Sequence, residues 1–80
     1  MKVSITVSPK KGVLDPAGQA ALGALKSLGF GEVEDVQIGK YIILRLEGIE
    51  AGKAEERVRE MCERLLANPI IEDYHIEAGD

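Results

Sequence analysis

The spacing of apolar residues constrains the fold of this protein more than any other feature. In both halves of the chain, a segment with the alternation of a strand is followed by a segment with the three- and four-residue spacing of a helix. Residues 2–8 alternate apolar and polar side chains, which predicts a half-buried strand. Asp15 and Pro16 then predict the start of a helix, because Asp caps the first turn and Pro already holds the helical φ. Apolar residues at three- and four-residue spacing carry this helix to Gly29, where we expect it to end. The core face of the strand carries Val3, Ile5 and Val7.

The middle of the chain predicts a β-hairpin. Residues 33–38 and 41–47 each have the composition of a strand, and Gly39-Lys40 separates them. A glycine at this point can supply the positive φ of a tight turn. The second strand is apolar on both sides, with Ile42, Leu44 and Leu46 on the core face and Tyr41 and Ile43 pointing outward. That outward pair predicts a sheet face covered by a partner, although isolated exposed apolar side chains are also common.

The last third of the chain predicts a second helix and a final strand. Apolar residues at helical spacing run from Ala54 to Leu66, and Asn68-Pro69 is expected to stop that helix. A strand follows over about 71–78. The order β-α-β-β-α-β predicts an α+β fold, a ferredoxin-like two-layer sandwich in a single domain, residues 1–80. We expect a mainly antiparallel four-stranded sheet with two helices on one face.

Length and composition limit what can stabilise this domain and what it can bind. A domain of 80 residues is marginal alone, and with one Cys and one His it lacks both a disulfide and the ligands of a structural zinc site. We therefore expect a homo-oligomer, at least a dimer. The net charge of -4, the scattered basic residues and 4% aromatic content argue against nucleic acid. Without a leader or a membrane-spanning stretch, the sequence predicts a cytoplasmic protein that binds no membrane.

No catalytic, cofactor or metal site is predicted. Cys62 lies on the apolar stripe of the second helix and is expected in the core, while His75 is expected to be exposed on the last strand. Lys10 and Lys11 are interpreted as loop residues, and the acidic clusters are interpreted as solvated edges; these contain Glu32, Glu34, Asp35, Glu72 and Asp73. Two alternatives stay open: a ferredoxin-like regulatory module that binds a small molecule, and a small enzyme that uses His75 or Cys62. Titration calorimetry would favour the first, and alanine substitution of each residue would test the second.

Three segments resemble one known family across nearly the whole chain. They are residues 13–18 (VLDPAG), 35–40 (DVQIGK) and 61–74 (MCERLLANPIIEDY), in order and at the family's length. Together they resemble the PurS family, the small subunit of phosphoribosylformylglycinamidine synthase. The resemblance implies a non-catalytic subunit that joins a glutaminase subunit to a large ATP-dependent synthetase subunit and assists ammonia transfer between them. It also implies that ATP and magnesium are used by the complex and that this chain binds no cofactor.

The partner interface is expected where this resemblance is concentrated outside the predicted core. Helix capping already explains Asp15 and Pro16, and helix termination explains Asn68, whereas Lys40 and Tyr74 have no such local reason. The predicted interface residues are Asp15, Pro16, Gly18, Lys40, Tyr41, Ile43, Asn68, Glu72, Asp73 and Tyr74.

Overall fold

A computed structural model describes residues 1–79 as a three-stranded antiparallel sheet with two helices. The central strand β1 pairs with β2 on one side and with β3 on the other. The strands are β1 (Lys2–Pro9), β2 (Lys40–Arg45) and β3 (Glu72–Ala78). The helices are α1 (Pro16–Ser27) and α2 (Ala51–Met61), and α2 continues into a π-helical turn (Cys62–Leu66).

The core lies between β1 and α2. All three apolar residues predicted on the inner face of β1 are at most 1% exposed. They pack beneath Val58 and Cys62, which are fully buried, so the predicted core positions of β1 and of Cys62 are confirmed. Complete burial of an aliphatic side chain stabilises a fold by about 1.5–3 kcal/mol, and this small cluster therefore supplies much of the driving force for folding.

The predicted fourth strand and the hairpin are wrong for this chain. Residues 33–39 form neither helix nor strand, and β2 begins at Lys40 and ends at Arg45. Gly39 is not among the glycines with positive φ in the described residues, so no tight turn forms there. It is needed for a different reason: a Cβ at this position would lie 2.2 Å from the carbonyl oxygen of Val7. The glycine allows close backbone approach and leaves the chain direction unreversed.

Helix α1 has the predicted ends but not the predicted place. Asp15 caps its first turn, and Gly29 follows its last residues with a φ of 101°. However, none of the residues described in the core cluster or packed against it comes from α1, so only α2 covers the sheet. The prediction of two helices on one face is therefore wrong within a single chain. Neither helix of the described chain is long and apolar enough to cross a membrane.

The C-terminal elements differ from prediction at their edges. Helix α2 begins at Ala51 and changes to π-helical geometry at Cys62, whereas regular spacing predicted one α-helix to Leu66. Strand β3 starts at Glu72, because Ile71 lies outside the sheet and is 43% exposed. The register places Tyr74 opposite Val7 and Ile76 opposite Ile5, which puts these two half-buried side chains on the core face.

Candidate subunit interface

Asp15 joins the start of α1 to the segment that precedes β2. One carboxylate oxygen accepts a hydrogen bond from the Gly18 N–H and the other from the Ile38 N–H, each at 3.0 Å. These hydrogen bonds, that from Ile38 first, hold the pKa of Asp15 below its usual range. Gly18 is buried, and a Cβ there would lie 2.3 Å from the Val36 carbonyl oxygen. Asp15, Pro16 and Gly18 thus have structural roles inside the chain.

Lys40 does not occupy a turn tip, contrary to prediction. It is the first residue of β2 and lies opposite Val7 of β1. Its Nζ donates a hydrogen bond of 3.3 Å to the carbonyl oxygen of Leu66, the last residue of the π-helical turn. A cation at this point satisfies a carbonyl that the helix leaves free and complements the negative end of its dipole.

Tyr74, on the opposite edge strand β3, contacts the same π-helical turn. Its hydroxyl donates a hydrogen bond of 2.5 Å to a carboxylate oxygen of Glu63. That bond is the main reason that the pKa of Tyr74 lies above its usual value, since ionisation of the phenol would place two negative charges together. The ring is half-buried and packs against the core cluster. The turn is thus fixed on one side by Lys40 and on the other by Tyr74.

The connection between the π-helical turn and β3 is closed by its own hydrogen bonds. The Asn68 side-chain oxygen accepts from the Ile70 N–H at 3.1 Å, and a Glu72 carboxylate oxygen accepts from the Asn68 N–H at 2.7 Å. Asp73 forms a long ion pair of 3.9 Å with Lys10. Asn68 and Glu72 therefore have a structural explanation, while Asp73 stays on an exposed, weakly paired edge.

The three predicted interface segments meet at one end of the sheet. Lys40, Val7 and Tyr74 form a row across β2, β1 and β3. Adjacent strands lie about 4.8 Å apart, so the backbones of Lys40 and Tyr74 are roughly 10 Å apart across the sheet. The Asp15–Ile38 hydrogen bond anchors the start of α1 just before Lys40. Residues far apart in sequence thus form one continuous surface at this end.

The outer face of the sheet carries the two predicted exposed apolar side chains. Tyr41 is 65% and Ile43 is 50% exposed, so their outward orientation is confirmed. They lie opposite Thr6 and Ser4 on the central strand. His75 continues the row beyond Thr6, and it is exposed as predicted. This face carries two large apolar side chains among polar ones, a mixture that suits a partner surface.

Sequence reasoning missed four residues that complete the end of the sheet: Arg59, Glu63, Leu66 and Ile38. Arg59 and Glu63 line a groove with Lys10, Glu72, Asp73 and Tyr74. The four-residue spacing of Arg59 and Glu63 places both on one side of a helix, and this spacing is the sequence feature that indicates that they lie together. It could not show that Tyr74, eleven residues further on, bonds Glu63.

The two residues considered as possible catalysts are placed apart. Cys62 is fully buried, and burial raises the pKa of its thiol, which is the reverse of what an activated nucleophile needs. His75 lies on the opposite, outer face of the sheet, 3.6 Å from Glu77. Within residues 1–79 no group of three or more His, Cys, Asp or Glu side chains is arranged to hold a metal ion.

Comparison with known proteins gives consistent matches over nearly the full chain. Residues 2–80 match the PurS model, described as phosphoribosylformylglycinamidine (FGAM) synthase. The PurS subunit of Bacillus subtilis is 50% identical over 79 residues, which cover 99% of this chain and 93% of that protein.

Solved structures agree with these sequence matches. The structure of Bacillus subtilis PurS superposes with a TM-score of 0.89, at 48% identity over 99% of this chain and 98% of that one. Methanocaldococcus jannaschii PurS gives 0.81 at 45% identity, covering 95% and 92%. A chain in the structure of PurLQS from Thermotoga maritima gives 0.82 at 34% identity, covering 95% and 93%. The chain described here therefore belongs to the PurS family of phosphoribosylformylglycinamidine synthase.

Proposed function

We propose that this chain is the small, non-catalytic subunit of a phosphoribosylformylglycinamidine synthase complex in purine biosynthesis. It would join the glutaminase subunit to the large ATP-dependent synthetase subunit in the cytoplasm and assist the passage of ammonia between them. The observation that carries the proposal is the full-length similarity to a chain of the PurLQS structure. The name of the Methanocaldococcus relative, a subunit of formylglycinamide ribonucleotide amidotransferase in the purine pathway, supports the same assignment.

The chemistry of the side chains supports a role without catalysis. The buried thiol of Cys62 and the exposed His75 lie on opposite sides of the sheet, so they form no nucleophile and base pair. The ATP and magnesium of the reaction would be bound by the large subunit. The contribution of a small bridging subunit would be to exclude water from the transfer path, so that ammonia reaches its acceptor unprotonated.

The end of the sheet that contains Lys40 and Tyr74 is the proposed contact with the other subunits. Both side chains fix the π-helical turn, so they determine the shape of this surface as well as contributing to it. Glu72 and Asp73 add negative charge beside the row. The outer face with Tyr41 and Ile43 is a second proposed contact, because it leaves two large apolar side chains exposed. Self-association, at least as a dimer, is part of the same proposal.

The experiment is reconstitution of the complex with each of two nitrogen sources. We expect Lys40→Ala and Tyr74→Ala to lower glutamine-dependent synthesis roughly tenfold, which is typical of the loss of one interface anchor. Ammonia-dependent synthesis should fall less than about twofold, because the large subunit then needs no transfer path. Tyr74→Phe removes the hydroxyl and keeps the aromatic ring, so it separates the contribution of the hydrogen bond to Glu63 from that of the ring.

Lys53→Ala is the matched control, since Lys53 lies on α2 away from the row. Every variant is first checked for folding by circular dichroism. Wild-type turnover with glutamine in the folded variants would remove Lys40 and Tyr74 from the proposed interface. Failure of wild-type chain to restore glutamine-dependent turnover to the other two subunits would contradict the proposed function itself.

A further inference from the structure

The hydrogen bond from the Tyr74 hydroxyl to the Glu63 carboxylate, at 2.5 Å, is the shortest one formed by a side chain in residues 1–79. Its acceptor is ionised, and hydrogen bonds of this kind are shorter and roughly twice as strong as those between neutral groups. The bond joins β3 to the π-helical turn, at the end of the sheet where Lys40 and Tyr74 share a row. Glu63 therefore acts directly on the side chain of Tyr74.

Glu63 is the better-fixed member of this pair. Its neighbour Cys62 is fully buried, and the Ala67 N–H donates a hydrogen bond of 3.0 Å to the Cys62 carbonyl oxygen, which closes the turn around Glu63. The ring of Tyr74 packs against the core, but its hydroxyl reaches the surface. The hydrogen of a surface hydroxyl takes the direction that its neighbours allow. The carboxylate thus decides where the Tyr74 hydrogen points.

Arg59 approaches the same hydroxyl from the same helix. Glu63 has the larger influence and raises the pKa of Tyr74 through the hydrogen bond, whereas Arg59 acts in the opposite sense. The Arg59 guanidinium is itself paired with Glu55 at 3.2 Å. Both charged groups belong to the segment that runs from α2 into the π-helical turn. Beyond them, the three side chains line one groove of about 410 Å³.

This arrangement gives the Tyr74 oxygen a defined polarity toward the groove. Its hydrogen is directed at Glu63, so the rest of the oxygen carries only lone-pair density. A group that meets it from the groove must then be a hydrogen-bond donor, such as an N–H. A carboxylate or carbonyl oxygen at the same place would leave two acceptors facing each other, which costs free energy when water is excluded.

We propose that Glu63 is a positioning residue for the subunit contact: it orients the Tyr74 hydroxyl so that the phenol oxygen accepts a hydrogen bond from a donor group of the partner. The inference rests on the proposed function, in which Tyr74 contacts the other subunits. Glu63 itself acts through Tyr74.

The test is a series of substitutions at Glu63 in the reconstituted complex, measured with glutamine and with ammonia. Glu63→Gln keeps an acceptor for the hydroxyl, so glutamine-dependent synthesis should stay within about twofold of the wild type. Glu63→Ala should lower it about fivefold, the usual effect of one hydrogen bond. Glu63→Lys should lower it further, because an ammonium donates to the phenol oxygen and turns the hydroxyl hydrogen outward. Ammonia-dependent synthesis should change less than about twofold throughout.

A double-mutant cycle separates positioning from general damage. In a Tyr74→Phe background, Glu63→Ala should cause no further loss, because the hydroxyl on which it acts is absent. Glu60→Ala is the matched control on the same helix: Glu60 pairs with Arg57 and Arg64 and does not line the groove. All variants are first checked for folding by circular dichroism.

A second readout uses the isolated full chain. The sequence contains two tyrosines, so Tyr41→Phe leaves Tyr74 as the single ionisable phenol. Absorbance titration should then show that Tyr74 ionises at a lower pH in Glu63→Ala than with Glu63 present, because the hydrogen bond to the carboxylate raises its pKa. An unchanged midpoint would show that Glu63 does not hold the hydroxyl. This measurement decides the matter if Glu63→Lys does not fold.

Three results in the complex would overturn the positioning role. They are wild-type turnover with glutamine in Glu63→Ala, equal turnover in Glu63→Ala and Glu63→Lys, and independent losses from Glu63→Ala and Tyr74→Phe that multiply in the double variant. An equal fall with both nitrogen sources would indicate structural damage and would also contradict it. The proposed function fails by a different result, the inability of the wild-type chain to restore glutamine-dependent turnover.

Discussion

Gly18 offers a sharp test of the contact between α1 and residues 33–38, the segment that precedes β2. A Cβ at this position would lie 2.3 Å from the Val36 carbonyl oxygen and 2.5 Å from an Asp15 carboxylate oxygen, where ordinary contacts are 3.4–4 Å. Gly18→Ala therefore requires a shift of about 1 Å in the Val36 carbonyl group and in the Asp15 carboxylate, whose two oxygens accept hydrogen bonds from Gly18 and Ile38. Such overpacking costs about 1–3 kcal/mol, which exceeds the roughly 1 kcal/mol that alanine gains over glycine in a helix.

Gly23→Ala is the matched control, because a Cβ at Gly23 meets no atom within 4 Å. The gain in helix propensity is shared by both variants, so the difference between them isolates the clash: about 1–3 kcal/mol. The assay is thermal unfolding followed by circular dichroism at one protein concentration. Each kcal/mol corresponds to about 4–8 °C for a domain of this size. If Gly18→Ala were as stable as Gly23→Ala, the close packing of α1 against Val36 would be refuted.

Two further predictions concern stability. Because hydrogen bonds lower the folded-state pKa of Asp15, its contribution to the free energy of unfolding is complete above about pH 4 and is lost as the pH falls through the folded-state pKa. The free energy of unfolding of Asp15→Asn, measured by urea titration, should therefore fall less steeply in acid than that of the wild type. Identical pH profiles would contradict the two hydrogen bonds to the carboxylate. Ile5→Ala should lower the free energy of unfolding by about 2–5 kcal/mol, since Ile5 is fully buried. Ile70→Ala should change it by less than about 0.5 kcal/mol, since Ile70 is 84% exposed. Equal effects of the two substitutions in urea unfolding would contradict the assigned core.

Strong periodicity made the core predictable from sequence. Val3, Ile5 and Val7 on β1 have one interpretation, since aliphatic residues at every second position, with polar residues between them, fall on the buried face of a half-buried strand. The stripe that carries Val58 and Cys62 was equally clear. Both patterns record burial against elements of the same chain, and local spacing is sufficient to detect them.

The candidate site was predictable only in part, because its contacts join distant segments. The motif around Asp15 indicated a cap, and Gly18 does donate to its carboxylate. The second hydrogen bond, to Ile38, spans twenty-three residues and has no local signature. Similarly, the Tyr74 contact with Glu63 depends on the π-helical turn, which shifts side chains from the positions that regular helical spacing gives.

The missing hairpin has a physical cause that local sequence does not show. A glycine between two strand-like segments predicts a chain reversal only if the turn has a lower free energy than the extended conformation. That difference in free energy depends on which strand the second segment can pair with. Gly39 is used for close approach to Val7 and keeps the chain extended. The four-stranded sheet with two helices that the amphipathic patterns predict needs one strand and one helix more than the described residues bring to this sheet. Sequence periodicity specifies which faces must be buried; it does not specify which molecule buries them.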